Sequence, residues 1–211
     1  LGPETPHHEV VLTDDGSLTV RHPGHGECYH SQAGAAAEAR ELYVTASGIR
    51  AAFARTGTVA VLDVGLGLGY NAVATILAWH EAPAGASLEI ASLEIDPELP
   101  RALSSGVAPW QATWSKSALA ACAALRPTDD GRWIAELTHP SGSTCHWTIY
   151  VADAAKTPVP RPLNAAAWGY VWQDPFSPEK NPPLWGEAWF RRVAAVAAPE
   201  AVLMTYSVAR A

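Results

Sequence analysis

The chain has 211 residues, 48% of them hydrophobic and 17% charged, the size and composition of one globular domain with a sizeable core. Its 21 acidic against 14 basic residues give a formal charge of −7, which excludes gripping nucleic acid by bulk charge and requires a local basic patch for any such partner. No uncharged apolar run reaches the roughly 18 residues of a membrane span, and Cys28, Cys122 and Cys145 are too widely spaced for a disulfide framework or a zinc ribbon. A cytoplasmic location is expected. The chain opens at Leu1 without an initiator methionine and shows no basic stretch followed by an apolar one, so no signal peptide is visible.

In chain order, Asp14-Asp15-Gly16 between Val10-Val11-Leu12 and Ser17-Leu18-Thr19-Val20 predicts a small hairpin. An alanine-rich segment from Gln32 to Arg55, holding Glu38, Arg40, Leu42, Tyr43, Ile49 and Phe53, predicts two helices broken near Ser47-Gly48. The continuous apolar run Val59 to Val64 reads as a buried strand, followed by a glycine-rich turn and a helix over Asn71 to Trp79. Past a break at Pro83 to Gly85 come a strand over Ser87 to Glu94 and a helix after Asp96-Pro97. Residues 110 to 126 read as helical, and Arg132 to Thr138 and Cys145 to Val151 as strands around Pro140-Ser141-Gly142. Trp168 to Gln173 reads as a strand, Leu184 to Ala197 as a helix and Ala201 to Tyr206 as a last strand. Strands alternating with helices imply an α/β fold with a mostly parallel, doubly wound sheet and helices on both faces. Residues 1–55 are expected to form an N-terminal extension packed on the same unit, and residues 56–211 its core.

The glycine turn is Asp63-Val64-Gly65-Leu66-Gly67-Leu68-Gly69. Glycines permit positive φ and close approach of a ligand, and the helix N-terminus beyond offers N–H donors. A dinucleotide site needs a third glycine at position 70, where Tyr70 stands. The pattern instead resembles the S-adenosylmethionine turn of class I methyltransferases, and that resemblance implies a Rossmann-like fold with a second acid for the ribose diol. Glu94 ends the next strand and is placed for it. A third acid, Asp153 after Val151-Ala152, stands where the resemblance implies contact with the adenine amino group. A tight strand-to-helix connection is the plainer reading of the turn taken alone.

The segment Trp172-Gln173-Asp174-Pro175-Phe176-Ser177-Pro178-Glu179-Lys180-Asn181-Pro182-Pro183-Leu184-Trp185 follows the expected fourth parallel strand. An acid, a proline and an aromatic at this point resemble amino-group methyltransferases. An ammonium has no lone pair and must lose a proton before it can attack a methyl group. A carboxylate at Asp174 can orient the amine and act as, or relay to, a base, while Phe176 packs near the sulfonium or the substrate. The simpler alternative is a proline-rich loop whose Asp174 caps a turn.

The run from Asp174 to Trp185 resembles the D-G-F-x-P-x-K-N-P-x-x-W signature of the methyltransferase part of MnmC and its stand-alone counterpart MnmD. Upstream, Tyr29-x-Ser31, Gly34, Glu38, Arg40 and Tyr43-Val44 are similar to that family's Y-F-S and G-x-x-E-x-x-Y-V stretch. Gly65-x-Gly67-x-Gly69-Tyr70-Asn71 is similar to its G-F-G-T-G-x-N. Pro175 and Leu68 depart from the glycine and threonine common there. The resemblance implies methyl transfer from S-adenosylmethionine to the aminomethyl nitrogen of 5-aminomethyl-2-thiouridine at the tRNA wobble position. It implies catalytic roles for Asp174 and Phe176. Cofactor contacts are implied for Asp63, Gly65, Gly67, Gly69, Asn71, Glu94 and Asp153, and for Glu38 and Arg40 at the methionine end. The stand-alone methyltransferase, without the oxidase half of bifunctional relatives, is expected, and the fold is expected to end early, at Ala211. No obligate protein partner is expected. Small-molecule or protein N-methylation, or a catalytically silent binding module, are the competing readings.

His22, His25, Cys28 and His30 supply enough nitrogen and sulfur to suggest zinc, but their spacing fits no standard finger, so no metal site is assigned. Arg191, Arg192, Lys180, Arg161 and Lys156 are candidates for a local phosphate-binding surface.

Overall fold

The computed structural model describes residues 9–55, 57–83 and 85–206. The expected hairpin is present, β1 (Glu9–Leu12) pairing antiparallel with β2 (Leu18–Arg21). Its turn caps the next helix. Asp15 Oδ2 accepts from Ala37 N at 2.7 Å, and Ser17 Oγ accepts from Ala35 N and Ala36 N, so the first free N–H groups of α1 (Ala35–Glu38) find partners. The helical segment breaks at Ser47-Gly48, as the composition predicts, before α2 (Ile49–Phe53). The part between them, Ala39–Ala46, winds as a π-helix, which propensity does not foretell.

The alternation of apolar side chains then divides the core. In β3 (Thr58–Val64), Val59 and Val61 face one layer and Ala60, Leu62 and Val64 the other. The helix α3 (Tyr70–His80) lies on the first face, and β4 (Ser87–Glu94) pairs parallel with β3. After α4 (Glu98–Ser105), the expected single helix over 110–126 is two pieces. A 3₁₀ turn over Pro109–Thr113 ends before Ser115, whose Oγ accepts from Ala118 N and starts α5 (Lys116–Ala123) afresh. The two-residue β5 (Arg126–Pro127), β6 (Trp133–Thr138) and β7 (Thr144–Val151) come next, then β8 (Trp168–Gln173), α6 (Glu187–Ala194) and β9 (Ala197–Met204).

The sheet order is β5-β6-β7-β4-β3-β8-β9. Strands β7, β4, β3, β8 and β9 are parallel, and at one edge β6 pairs antiparallel with β7 and β5 antiparallel with β6. The α/β, Rossmann-like fold expected from the sequence is therefore present. Helix α6 ends earlier than predicted and β9 begins sooner, at Ala197. The β8–β9 register shifts between Trp168↔Ala197 and Tyr170↔Val202, a stretch containing Pro199, which has no N–H for the ladder. The expected early end of the fold, beyond Tyr206, lies outside the described residues.

Four of the buried tryptophans anchor the layers through indole N–H groups that each have an acceptor. Trp147 donates to Ser92 Oγ, Trp168 to the Pro160 carbonyl, Trp172 to Thr75 Oγ1 and Trp189 to Gln173 Oε1. Leaving one unpaired would cost about 1–3 kcal/mol. Segment 18–39 is fastened to the sheet unit where Val20, Ala35 and Ala39 pack with Leu68, Tyr70 and Leu99. Among the described residues no helix is long and apolar enough to cross a membrane.

Desolvation raises the Asp15 carboxyl, but hydrogen bonds from Ser17, Ala37 and Thr13 outweigh it and hold the pKa at about 2. Asp15→Ala should lower the urea-unfolding free energy by about 1 kcal/mol at neutral pH. Because the folded value is depressed, this difference should shrink as pH falls through the ordinary carboxylate range toward about 2. A difference that persists unchanged in acid would contradict the capping role.

Candidate active site

A cavity of about 1030 Å³ opens at the carboxyl ends of the central strands, where an open α/β sheet binds ligands. Its walls come from the turn after β3, the end of β4, the loop after β7 and the loop after β8, with residues 21–32 and Glu38 closing the side. The turn after β3 is locked into this shape. Gly65 has φ +84°, and a Cβ there would lie 2.8 Å from the Asp174 carbonyl oxygen and 2.9 Å from Pro175 Cα. The glycine turn thus touches the backbone of the acid-proline loop directly, and Asp174 N donates to the Val64 carbonyl to fix that approach.

Glu94, at the end of β4, is buried but lines the cavity. Its carboxylate accepts from Gly67 N at 2.9 Å, Ile95 N at 2.8 Å and Asp96 N at 2.9 Å. Desolvation nevertheless pushes its pKa up to about 7, against those three hydrogen bonds. A carboxylate has about four lone-pair sites, so one remains for a ligand hydroxyl. Asp153 also lines the cavity. Its side chain accepts from Lys156 Nζ and Ala155 N, and Lys156 holds its carboxyl below the usual range.

Asp174 also lines the cavity. Its Oδ2 accepts from Asn71 Nδ2 at 2.8 Å, and the buried Tyr43 hydroxyl stands beside it without a closed hydrogen bond. Desolvation raises the Asp174 pKa to about 6. His30 opposes that rise, the Glu38 charge adds to it, and contacts with Tyr43 and Asn71 oppose it. Phe176 forms an aromatic cluster with His22, His25 and Tyr29 at centroid distances of 5.1, 4.6 and 5.0 Å. Glu27 ties residues 22–30 to the loop by accepting from Ser177 Oγ at 2.7 Å, and Trp185 Nε1 donates to the Phe176 carbonyl.

Of the residues singled out in the sequence, Gly65, Gly67, Glu94, Asp153, Glu38, Asp174 and Phe176 line this cavity, whereas Asp63, Gly69, Asn71 and Arg40 do not. Asp63 is buried within β3, where Ser92 Oγ donates to it at 2.6 Å and desolvation raises its pKa to about 7. Gly69 caps α3. Asn71 holds Asp174 instead of facing the cavity. Arg40 lines a separate, smaller cavity and pairs with Glu41 on the surface, because residues two apart on a helix do not share a face. The suggested metal set also separates. His22 and His25 pack on Phe176, and only His30 joins another group, with Glu38 and Asp174, their ligand atoms within 4.8 Å of one another.

The basic candidates are mostly engaged within the chain. Arg192 donates to the carbonyls of Ala154, Ala155 and Thr157, Arg191 pairs with Glu187, and Arg161 donates to Ala195 O. Lys156 and Lys180 line the cavity. Sequence reasoning missed Glu27, which carries no motif, and the polar grouping around His30, which chain position alone does not reveal.

Residues 133–211 match a protein family described as S-adenosyl-L-methionine-dependent methyltransferase. The tRNA 5-methylaminomethyl-2-thiouridine biosynthesis bifunctional protein MnmC of Burkholderia multivorans is 33% identical over 94% of this chain. Over most of its length the chain is similar to part of MnmC. The protein of the same name from Pseudomonas aeruginosa PAO1 is 30% identical over 87% of the chain, and the alignments span 29% and 28% of those two relatives. The chain thus spans less than a third of the length of the curated relatives it matches. The crystal structure of MNMC2 from Aquifex aeolicus superposes with a TM-score of 0.72 and 25% identity, covering 97% of this chain and 61% of that one.

Gly65→Ala should cost roughly 2 kcal/mol more than Gly48→Ala in chemical unfolding. Both glycines have positive φ, but the added Cβ meets nothing at Gly48. Equal losses would mean that the turn and the acid-proline loop do not depend on their contact.

Proposed function

We propose that the chain transfers a methyl group from S-adenosylmethionine to the aminomethyl nitrogen of 5-aminomethyl-2-thiouridine at the tRNA wobble position. The observation that carries this reading is the Asp174 carboxylate, fixed by Asn71 and by the Gly65 contact on the wall of a cavity that also contains Glu94. A methyl donor and an amine acceptor need a site of this kind, with one acid for a diol and another for a nitrogen. The match of residues 133–211 and the MnmC relatives support the same assignment.

The residues present fit the adenosyl donor. Glu94 keeps a lone pair for ribose hydroxyls, Gly65 and Gly67 expose backbone to the cavity, and Asp153 stands beside the next strand end. The donor supplies a methyl group made electrophilic by a positive sulfonium. Glu38 faces the methionine end from the side wall. The Asp174 carboxylate orients the substrate nitrogen, and Phe176 with Tyr29 excludes water from the reacting face. In this scheme residues 21–32 and Glu38, from the N-terminal extension, close the side of the site. Lys156 and Lys180 offer cations to the phosphates of a tRNA, and no obligate protein partner or membrane is required for work in the cytoplasm.

The test is incubation with undermodified tRNA and labelled S-adenosylmethionine, followed by nucleoside analysis. Label is expected on the wobble aminomethyl nitrogen, and label reaching only a free amine or a protein would overturn the assignment. Asp174→Asn should lower kcat about 100-fold. With its pKa at about 6, Asp174 is ionised above that value. The wild-type rate should therefore fall as pH drops through about 6, and Asp174→Asn should lose that limb.

A further inference from the structure

His30 is 7% exposed, and neither ring nitrogen has a hydrogen-bond partner. An imidazole in this condition is costly, because a buried polar atom without a partner forfeits its hydration. The ring is nevertheless held firmly. It meets Tyr70 edge-on at 4.9 Å, and its backbone N–H donates to Thr19 Oγ1. Its Nδ1 lies 3.8 Å from Glu38 Oε1, and Glu38 is itself oriented by the Ser31 N–H at 3.3 Å. His30, Glu38 and Asp174 all line the cavity, with their reactive atoms within 4.8 Å of one another.

We propose that His30 takes the proton from the substrate ammonium, with Glu38 and Asp174 balancing the imidazolium that forms. The inference rests on the amine-methylation reading above and deepens it. The ammonium gives one N–H proton to the imidazole, and the electron pair of that bond stays on nitrogen. This pair forms the N–C bond as the C–S bond breaks and leaves its electrons on sulfur. The product departs as a secondary ammonium, and the imidazolium releases its proton to water through the cavity. Two carboxylates beside one imidazole suit this task, because they hold a cation in place both before and after the transfer. Among the described residues, the titratable groups that face the ring are Glu38 from α1, Tyr70 from α3 and Asp174 from the loop after β8, and Tyr43 from the π-helical segment stands beside Asp174 and Glu38.

The test compares His30→Phe and His30→Gln with the wild type for cofactor-product binding, substrate KM and the pH profile of kcat on undermodified tRNA. Both variants should bind S-adenosylhomocysteine within about twofold of the wild type and keep KM. Their kcat at neutral pH should fall about tenfold or more, and the deficit should close at alkaline pH, where solvent deprotonates the amine. Wild-type profiles in both variants would overturn the inference and leave the methyltransferase reading intact. So would a wild-type profile in His30→Gln alone, which would show that a hydrogen bond suffices. One equivalent of divalent metal in the purified wild type, lost in His30→Gln, would also overturn it by assigning the cluster to a metal. A wild type that methylates no wobble uridine would overturn the amine reading and this inference with it.

Discussion

The site depends on one close approach, that of Gly65 to the backbone of Asp174 and Pro175, where a Cβ would lie within 3 Å of both residues. Two loops from neighbouring parallel strands meet there without an intervening side chain. Loops that could slide past each other would place an acid and a glycine turn at variable separation. Contact removes that freedom before any ligand arrives, which is the condition under which a bound donor and acceptor can be held for in-line attack. The Asp174 N–H to the Val64 carbonyl and the Asn71 amide to Asp174 Oδ2 then set the direction in which the acid points.

Around that contact the electrostatics are uneven. Burial raises Glu94 to about 7 and Asp174 to about 6 on the cavity wall, and Asp63 to about 7 in the strand behind it. The cavity therefore carries acids that are costly to ionise in isolation and that gain when a cation enters. A sulfonium and an ammonium are both cations. The formal charge of −7, which weakens any general hold on nucleic acid, is consistent with a site that draws in positive groups and meets phosphates only at a narrow rim.

Much of this was legible in the sequence where local chemistry decides the outcome. Short runs rich in apolar and aromatic residues between turn signals mark strands, so β3, β4, β7 and β8 fell close to their expected bounds. Glu94 and Asp153 each come after such a run and reach the cavity. Where a position's direction depends on alternation or on helical phase, chain order misled. Asp63 stands one residue before the end of β3 and points into the core beside Ser92, and Arg40 turns away from Glu38 around the helix. The helix expected over 110–126 broke because Ser115 offered a better cap than continuation did. His30 was grouped with its loop neighbours His22, His25 and Cys28, while its actual companions, Glu38 and Asp174, come from other elements. Such a grouping exists only after folding.

The central claim is that the cavity between the Gly65 turn and Asp174 is where methyl transfer takes place. A crystal structure with S-adenosylhomocysteine bound tests it most directly. The ribose hydroxyls are expected at the Glu94 carboxylate, with the adenine toward Asp153 and the sulfur facing Asp174 across the Gly65–Gly67 backbone. Nucleoside density in the smaller cavity beside Arg40 and Tyr70, or in the main cavity with its sulfur turned away from Asp174, would contradict it.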